Sequence, residues 1–240
     1  MKILLAITTY NQIEYTKILI NSLKEINIPN LDVMFFDDVS TDGTQKYVKD
    51  LGFTLYERNS PLGLTYGWNH AYRIFKEGNY DILILSNNDV ILEQRALSNL
   101  INATINRQII CPLTTKNGAG HNAENQNVLV HYPNIGVLVD KPGNFKRTQE
   151  RLKSGIKAMK KFNGFMFSMS RSIIQSEYDN MNLFDPSNVN IHQEGDLQKR
   201  LKELPHVCLD SFIFHYKGVS FPKKGIINGK DIRQNLNLYH

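Results

Sequence analysis

The chain has 240 residues, of which 41% are hydrophobic and 21% are charged. This composition suffices for one sizeable core and excludes extended disorder, except in roughly the last dozen residues. No apolar run approaches the roughly 20 residues that a membrane-spanning helix requires, so we expect no transmembrane segment and a cytoplasmic location. Cys111 and Cys208 lie within apolar segments, which predicts buried free thiols and no disulfide framework.

The formal net charge of +5 arises from 28 Lys and Arg against 23 Asp and Glu, and the excess is uneven along the chain. Basic residues are concentrated between Lys141 and Lys161, where the only acid is Glu150. A second basic group comprises Lys217, Lys223, Lys224, Lys230 and Arg233. Such runs are usually solvated faces, but they also suit a phosphate-bearing partner such as nucleic acid, a lipid-linked acceptor or a membrane surface contacted peripherally.

The first half of the chain alternates short apolar runs with amphipathic stretches. The apolar runs predict buried strands at 3–7, 31–36, 53–56 and 82–85. Helices are predicted after Asn11, which pairs with Glu14 as a capping box, and at 43–49, 63–75 and 93–105. Strands that alternate with helices predict an α/β fold with a doubly wound, mostly parallel sheet.

The second half of the chain is less regular. A polar loop is predicted at 118–127, followed by a pair of strands at 128–131 and 135–139. An apolar run at 162–169 contains Gly164, a helix is predicted at 194–201, and strand material at 207–214 ends at His215.

Polar side chains follow three of the predicted strands, at the point where each strand ends. The polar segments are 8–11, 37–43 and 86–89. Because the carboxyl ends of parallel strands meet at one edge of a sheet, these segments offer hydroxyls, amides and carboxylates to a common crevice.

Several segments, in this order, resemble the family-2 glycosyltransferases, which have the GT-A fold. The segments are 7–11, 37–44, 61–69, 85–90, 163–167, 193–197 and the closing His-x-x-Gly-x-Ser at 215–220. The resemblance implies one domain with a nucleotide-sugar-binding half at 1–110, and an acceptor-binding half at 111–240 that carries a smaller sheet and helix region. Two departures from the family pattern are Asn87, where an acid is usual, and Gln193-Glu194, where Glu-Asp is usual.

A divalent cation is expected at the end of the fourth strand, because it would neutralise a diphosphate leaving group. Asp89 is the first candidate ligand, and the resemblance adds His215 as the second. Mg²⁺ or Mn²⁺ suits oxygen ligands, and Mn²⁺ also accepts imidazole. The alternative for Asp89 is a cap of the helix that begins near Glu93.

The other strand-end residues are candidates for binding the nucleotide sugar, expected to be a UDP-sugar. Asp37 and Asp38 correspond to the family's base-recognition acids. Because neighbours on a strand face opposite ways, only one should point into the crevice, and we expect Asp37, with Asp38 as a possible helix cap. The remaining candidates are Thr8, Thr9, Tyr10, Asn11, Arg58, Gly63 at a helix start, Asn69, Asn87 and Asn88.

Transfer with inversion requires a base that takes the proton from the acceptor hydroxyl. Glu194 aligns with the family's basic carboxylate and Asp196 is the alternative; residues two apart on a helix do not share a face, so one of them should do this.

The sequence therefore predicts a metal-dependent inverting glycosyltransferase, a hexosyl- or pentosyltransferase acting on a glycan or lipid-linked glycan. An alternative acceptor is DNA with a hydroxymethylated base, modified by a phage-type enzyme. Two further alternatives are an inactive nucleotide-sugar-binding module and a nucleotidyltransferase. The last would require a glycine-rich triphosphate loop after the first strand, and residues 8–11 are not one.

Overall fold

The structure is a computed structural model that describes residues 1–120, 124–136, 139–190 and 193–217. Within these residues the strands are β1 (Ile3–Thr9), β2 (Leu31–Asp37), β3 (Thr54–Tyr56), β4 (Ile82–Asn87), β5 (Val90–Ile91), β6 (Ile109–Leu113), β7 (Ile156–Ala158), β8 (Met166–Ser170), β9 (His206–Phe212) and β10 (Phe214–His215). The α-helices are α1 (Ile13–Leu23), α2 (Thr44–Asp50), α3 (Leu64–Glu77), α4 (Gln94–Thr104), α5 (Lys116–Ala119), α6 (Val128–His131), α7 (Phe145–Glu150) and α8 (Gln193–Arg200). Short 3₁₀ helices lie at Glu124–Gln126, Pro142–Asn144 and Arg171–Ser176.

Eight strands form one mixed sheet in the order β3-β2-β1-β4-β8-β6-β9-β7, and β10 pairs with β5 in a small antiparallel sheet. The strands β3, β2, β1 and β4 are parallel to one another, whereas β8 runs antiparallel to both β4 and β6. The predicted α/β fold with a doubly wound, mostly parallel sheet is confirmed. The division into halves at residue 110 stays a prediction.

The central strands of the large sheet are buried on both faces, whereas the edge strands β3 and β7 are more exposed. Along β1, Leu4 and Ala6 join a core cluster that includes Trp68 and Phe75 of α3. The alternate residues Ile3, Leu5 and Ile7 join a second cluster with α1 and α4. A parallel strand covered by helices on both sides reads as a continuous apolar run, which is why β1 was predictable from sequence.

Both cysteines are buried and free, as predicted. Burial raises the pKa of the Cys111 thiol well above its usual value. No helix within the described ranges has the length and apolar character needed to cross a bilayer.

Two local predictions are wrong. Residues 128–131 form helix α6 instead of a strand, because the Asn127 side chain caps it by accepting the Leu129 N–H at 3.1 Å. The proposed partner strand at 135–139 includes residues 137 and 138, which lie outside the described residues. The capping box of Asn11 and Glu14 is also absent, since Asp42 Oδ2 accepts the Ile13 N–H at 2.8 Å instead.

Asn69 ties α3 to the chain segment that covers it. Its side-chain carbonyl accepts the N–H groups of Leu183 and Phe184 at 3.1 and 2.9 Å, and its amide donates to the Phe184 carbonyl. The side chain is buried and all of these partners are backbone groups of the protein. The predicted contact between Asn69 and the nucleotide is therefore wrong, and the residue supports the fold.

We expect Asn69→Ala to lower the free energy of unfolding by roughly 2–4 kcal/mol, because two buried N–H groups lose their acceptor. Urea denaturation measures this loss. The matched control is Asn102→Ala on the exposed surface of α4, which should change stability by less than about 0.5 kcal/mol. Equal unfolding midpoints for the two variants would contradict the structural role.

Candidate functional site

The polar strand ends lie side by side at one edge of the large sheet. The register pairs Thr9 with Asp37 across β1 and β2, and Thr8 with Asn87 across β1 and β4. A cavity of about 120 Å³ opens here. Its lining comprises Thr8, Thr9, Tyr10, Phe36, Asp38, Arg58, Gly63, Leu64, Gly67, Asn87, Asn88 and Asn190. Eight of the predicted nucleotide-binding residues thus share one cavity, while Asn11, Asp37 and Asn69 lie outside its lining.

Asp37 points into the protein, contrary to our expectation that it faces the crevice. Its Oδ1 accepts the Ser40 N–H and the Gln45 side-chain amide, and its Oδ2 accepts the hydroxyls of Thr9 and Ser40. These four donors use the acceptor sites of the carboxylate, and the residue is 1% exposed. Asp37 therefore holds the strand-end loop together and is not available to a ligand.

Asp38 is the acid that lines the cavity. Its Oδ1 is paired with Arg58 and accepts the Leu62 N–H, and its Oδ2 accepts the Gly63 N–H at 2.9 Å. The Arg58 guanidinium also stacks over the Tyr66 ring at 4.6 Å. Three of about four acceptor positions on Asp38 are used within the described residues, so one is left toward the cavity.

The residue that follows the two acids has an unusual backbone conformation. Val39 has φ of 66°, a left-handed conformation that is unfavourable for a β-branched residue. The hydrogen bonds of Asp37 and the contacts of Asp38 hold the chain on the N-terminal side of this residue. These contacts stabilise the turn that follows the two acids.

The start of helix α3 was predicted to approach a diphosphate, but its first N–H groups already have partners. Gly63 donates to Asp38, Leu64 donates to the Asn190 side chain at 2.9 Å, and Thr65 donates to the Val189 carbonyl. Gly63 is required at this position, because a Cβ on it would collide with Val189 and Asn190 and its φ is 78°. The N–H groups of Gly63, Leu64 and Thr65 are thus engaged within the protein, and Gly63 and Leu64 line the cavity.

Asn11 and Asn88 connect the loops around the cavity. The Asn11 side chain accepts the Thr41 N–H at 2.8 Å, and the Asn88 amide donates to the Asn11 carbonyl and to the Thr16 hydroxyl. Asn11 therefore fixes the second strand-end loop and makes no contact with the cavity, which corrects its predicted role. Asn88 lines the cavity although its amide is engaged.

Asp89 and His215 face each other, as expected for two ligands of one ion. The pairing of β5 with β10 sets His215 opposite Val90, and the distance from His215 Nε2 to Asp89 Oδ1 is 3.3 Å. Both side chains are about 95% buried. The helix cap that was the alternative role for Asp89 is supplied by Glu93, whose carboxylate accepts the Ala96 N–H.

The hydrogen bonds of His215 define which ring nitrogen is free. Nδ1 lies 3.0 Å from the Gly118 carbonyl oxygen, which can only accept, so Nδ1 carries the proton. In the neutral ring Nε2 then presents a lone pair to the Asp89 carboxylate. Two electron-rich atoms at this distance repel each other unless Nε2 is protonated or a cation lies between them. A metal-binding histidine commonly donates its other N–H to a backbone carbonyl in this way.

A short segment, residues 163–165, links the cavity, the Asp89–His215 pair and the predicted base. The Phe165 carbonyl accepts the Asn87 N–H at 2.8 Å, and the Phe165 ring stacks on His215 with centroids 4.6 Å apart. The Gly164 N–H donates to Glu194 Oε1 at 2.9 Å. A side chain at residue 164 would collide with this carboxylate, so glycine is required for the contact.

Both candidate bases line a second cleft, of about 770 Å³, on the other side of this segment. Glu194 is oriented by the Gly164 N–H, whereas Asp196 is paired at 2.9 Å with Arg200 on the same helix. Lys160, Lys161 and Lys199 also line the cleft. The closing motif contributes His215, while its Gly218 and Ser220 lie outside the described residues, as do the basic residues from Lys223 onward.

Sequence reasoning missed two residues that shape the site. Asn190 lines the first cavity and caps α3, but it lies in an irregular segment far along the chain, and no sequence pattern indicates this contact. Phe165 belongs to a segment that was noted for its glycine. Its stacking on His215 follows only from the three-dimensional pairing of β8 and β10 with their neighbours.

The family model for Glycosyl transferase family 2 matches residues 5–176, which is more than half of the chain. No curated protein matches the sequence. The chain is similar in structure to the mannosyltransferase PcManGT from Pyrobaculum calidifontis, solved with GDP-Man and Mn²⁺, with a TM-score of 0.62 and 16% identity over 93% of this chain and 58% of that one.

Two further solved structures show the same likeness. S. aureus TarS 1-349, solved with UDP, has a TM-score of 0.59 and 15% identity over 89% of this chain and 60% of that one. GalNAc-T7, solved with UDP, GalNAc and Mn²⁺, has a TM-score of 0.63 and 13% identity over 89% of this chain and 43% of that one. The chain spans about 40–60% of the length of these proteins, and at such identities the likeness concerns the fold. By its family match and its architecture, the chain belongs to glycosyl transferase family 2 and has the GT-A fold.

Proposed function

We propose that the protein is a metal-dependent inverting glycosyltransferase that moves a sugar from a UDP-sugar to an acceptor hydroxyl, on a glycan or a lipid-linked glycan. The observation that carries this proposal is the buried pair of Asp89 and His215, which residues 163–165 link both to the strand-end cavity and to the cleft that contains Glu194. A donor at the cavity, its diphosphate at this pair and an acceptor in the cleft would then be neighbours. In the reaction the acceptor oxygen forms a bond to the sugar, the sugar–phosphate bond breaks, the acceptor proton goes to the base, and UDP leaves.

We assign the nucleobase of the donor to the cavity beside Asp38. The remaining acceptor position on its carboxylate would accept the imide N–H of uracil, and Arg58 orients the carboxylate. Thr8, Thr9 and Asn87 supply hydroxyl and amide groups around the same space. This assignment moves the base-recognition role from Asp37 to Asp38.

We expect UDP to bind with its imide proton facing Asp38. UDP methylated at N3 of the uracil lacks that proton, so its dissociation constant should be about tenfold to a hundredfold higher, as for a lost hydrogen bond to a charged group. Isothermal titration in the presence of Mn²⁺ compares the two nucleotides. The matched control is UDP methylated at C5, which keeps the imide proton. Equal affinities for the N3-methylated and unmodified nucleotides would rule out this contact.

The metal is assigned to Asp89 and His215, and the residues present fit it. On a cation with ligands about 2.1 Å away, two neighbouring ligands lie about 3 Å apart, close to the 3.3 Å between Asp89 Oδ1 and His215 Nε2. One carboxylate and one imidazole suit Mn²⁺. The bound ion would neutralise the charge that develops on the diphosphate.

Within the described ranges, no group of three or more His, Cys, Asp and Glu side chains is arranged to hold a metal ion. The two ligands of the protein leave most coordination positions to the donor diphosphate and water. The N–H groups of Gly63, Leu64 and Thr65 at the start of α3 already have acceptors within the protein. Metal and nucleotide should therefore bind together.

We expect Mn²⁺ to bind weakly to the protein alone and at least about tenfold more tightly when UDP is saturating, by reciprocal coupling of the two ligands. Titration calorimetry of Mn²⁺ with and without UDP measures this. His215→Ala should remove the UDP-dependent gain, whereas His131→Ala, on the short helix α6, should retain it. Micromolar Mn²⁺ affinity without nucleotide would overturn this two-ligand assignment.

We assign the role of the general base, which takes the proton of the acceptor hydroxyl, to Glu194. Its carboxylate is held by the Gly164 N–H, one residue from the Phe165 ring that stacks on His215, so it is fixed with respect to the metal pair. Asp196 is engaged by Arg200 in an ion pair of 2.9 Å on the same helix, so one of its carboxylate oxygens already has a partner. The geometry thus favours Glu194 over Asp196.

We expect Glu194→Gln to reduce transfer by about 10²–10⁴-fold, the usual contribution of a general base, with UDP affinity nearly unchanged. Asp196→Asn should retain most of the activity. Gly164→Ala should also lower kcat, because its methyl group would displace the Glu194 carboxylate. The readouts are transfer rates with the best donor from a panel of nucleotide sugars, and calorimetric UDP binding.

Full activity of Glu194→Gln would move the role of general base to Asp196. Metal-dependent hydrolysis of a UDP-sugar by the wild type would exclude an inactive binding module.

A further inference from the structure

The cleft that contains Glu194 is surrounded by lysines. Lys160 and Lys161 precede the segment 163–165, and Lys199 lies on α8 beyond Glu194. All three side chains are exposed. The cleft of about 770 Å³ is within the usual range for a small-molecule site and is large enough for an acceptor of one or two sugar units.

These three lysines make no ion pair with a carboxylate of the described residues. Within the described residues, Lys141, Lys153 and Lys157 of the same stretch also lack an ion pair but do not line the cleft, whereas Lys146 is paired with Glu25 at 2.6 Å and Arg151 donates to the Ile135 carbonyl. Of the two acids in the cleft, Asp196 is already paired with Arg200. The lysine charges therefore exceed the carboxylate charge in the cleft.

We propose that the acceptor carries a phosphate group near the hydroxyl that receives the sugar, and that Lys160, Lys161 and Lys199 bind this phosphate. The inference rests on the proposed function, since it takes the cleft beside Glu194 as the acceptor site. A phosphate monoester has a charge of about −1.5 to −2 at neutral pH, which suits several lysines better than the single charge of a carboxylate. Three flexible ammonium groups can surround a phosphate as point charges.

The distribution of charge favours a small phosphate-bearing acceptor over duplex DNA. A duplex presents phosphates along its whole length and requires a basic stripe that follows them. Here two of the neighbouring basic residues are directed to other partners, because Lys146 contacts Glu25, just beyond the end of α1, and Arg151 contacts the 132–135 turn. The three lysines that line the cleft, Lys160, Lys161 and Lys199, lie together in one concave site.

The test compares two triple variants of the full chain. K160Q/K161Q/K199Q removes the three charges of the cleft, and K141Q/K153Q/K157Q removes three exposed charges of the same basic stretch that do not line it. Binding of glucose 6-phosphate, glucose, glucuronate and a short duplex DNA is measured by calorimetry or NMR. Saturating UDP and Mn²⁺ are present, so that the phosphate cannot occupy the donor site.

We expect glucose 6-phosphate to bind more tightly than glucose or glucuronate, and its dissociation constant to rise about tenfold in the cleft variant, as for three weak surface ion pairs. The control variant should change it less than about twofold. Equal effects of the two variants, equal binding of glucuronate, or tighter cleft-dependent binding of duplex DNA would each overturn the proposal. UDP binding distinguishes failure of the acceptor inference from failure of the proposed function. If UDP binds normally but glucose 6-phosphate does not bind, the acceptor inference fails and the proposed function stands. If the wild type does not bind UDP, the proposed function fails, and the titration without UDP still tests the cleft.

Discussion

The arrangement of the site depends on the backbone of residues 163–165 as it enters β8. This segment is bonded to the end of β4 through the Phe165 carbonyl, stacks on His215 through the Phe165 ring, and holds Glu194 through the Gly164 N–H. The end of β4, His215 and Glu194 are far apart in sequence, yet all three contact this one short segment. Because β8 is antiparallel to β4, its first residues lie at the carboxyl edge of the parallel strands, where the nucleotide cavity opens. Residues 163–165 thus connect the lining of the first cavity, the Asp89–His215 pair and the cleft that contains Glu194.

The charges of the cavity and of the cleft are balanced differently. In the cavity, Asp38 is paired with Arg58 and accepts two backbone N–H groups, and the N–H groups of Gly63, Leu64 and Thr65 have acceptors in Asp38 and the 188–190 loop. In the cleft, Lys160, Lys161 and Lys199 make no ion pair with a carboxylate of the described residues. Under the proposed function, a cation would therefore supply positive charge for the donor diphosphate, and the lysines would face the acceptor.

Much of the fold could be predicted from sequence. The features that could not be predicted share one physical cause. The strands β1 and β4 are buried on both faces, so their apolar runs have a length and a boundary that local rules recognise. The crevice at the carboxyl ends of the parallel strands follows from parallel pairing alone. By contrast, the choice between Asp37 and Asp38 depends on hydrogen-bond donors from β1, α2 and the 58–63 turn. The role of Asn69 depends on residues 183 and 184, more than a hundred positions away. These outcomes are decided by tertiary hydrogen bonds that no local pattern contains.

The left-handed conformation of Val39 also has a consequence for the motions of the protein. An unfavourable backbone conformation persists only while the contacts that hold it are intact, and here these come from β1, α2 and the 58–63 turn. The loop can therefore close only after those elements have assembled, and it should be among the first parts to open in the native state. Local opening would expose the amide of Ser40, which is otherwise protected by Asp37. Hydrogen exchange at that amide would then report how firmly the nucleotide cavity is closed, independently of the stability of the sheet beneath it.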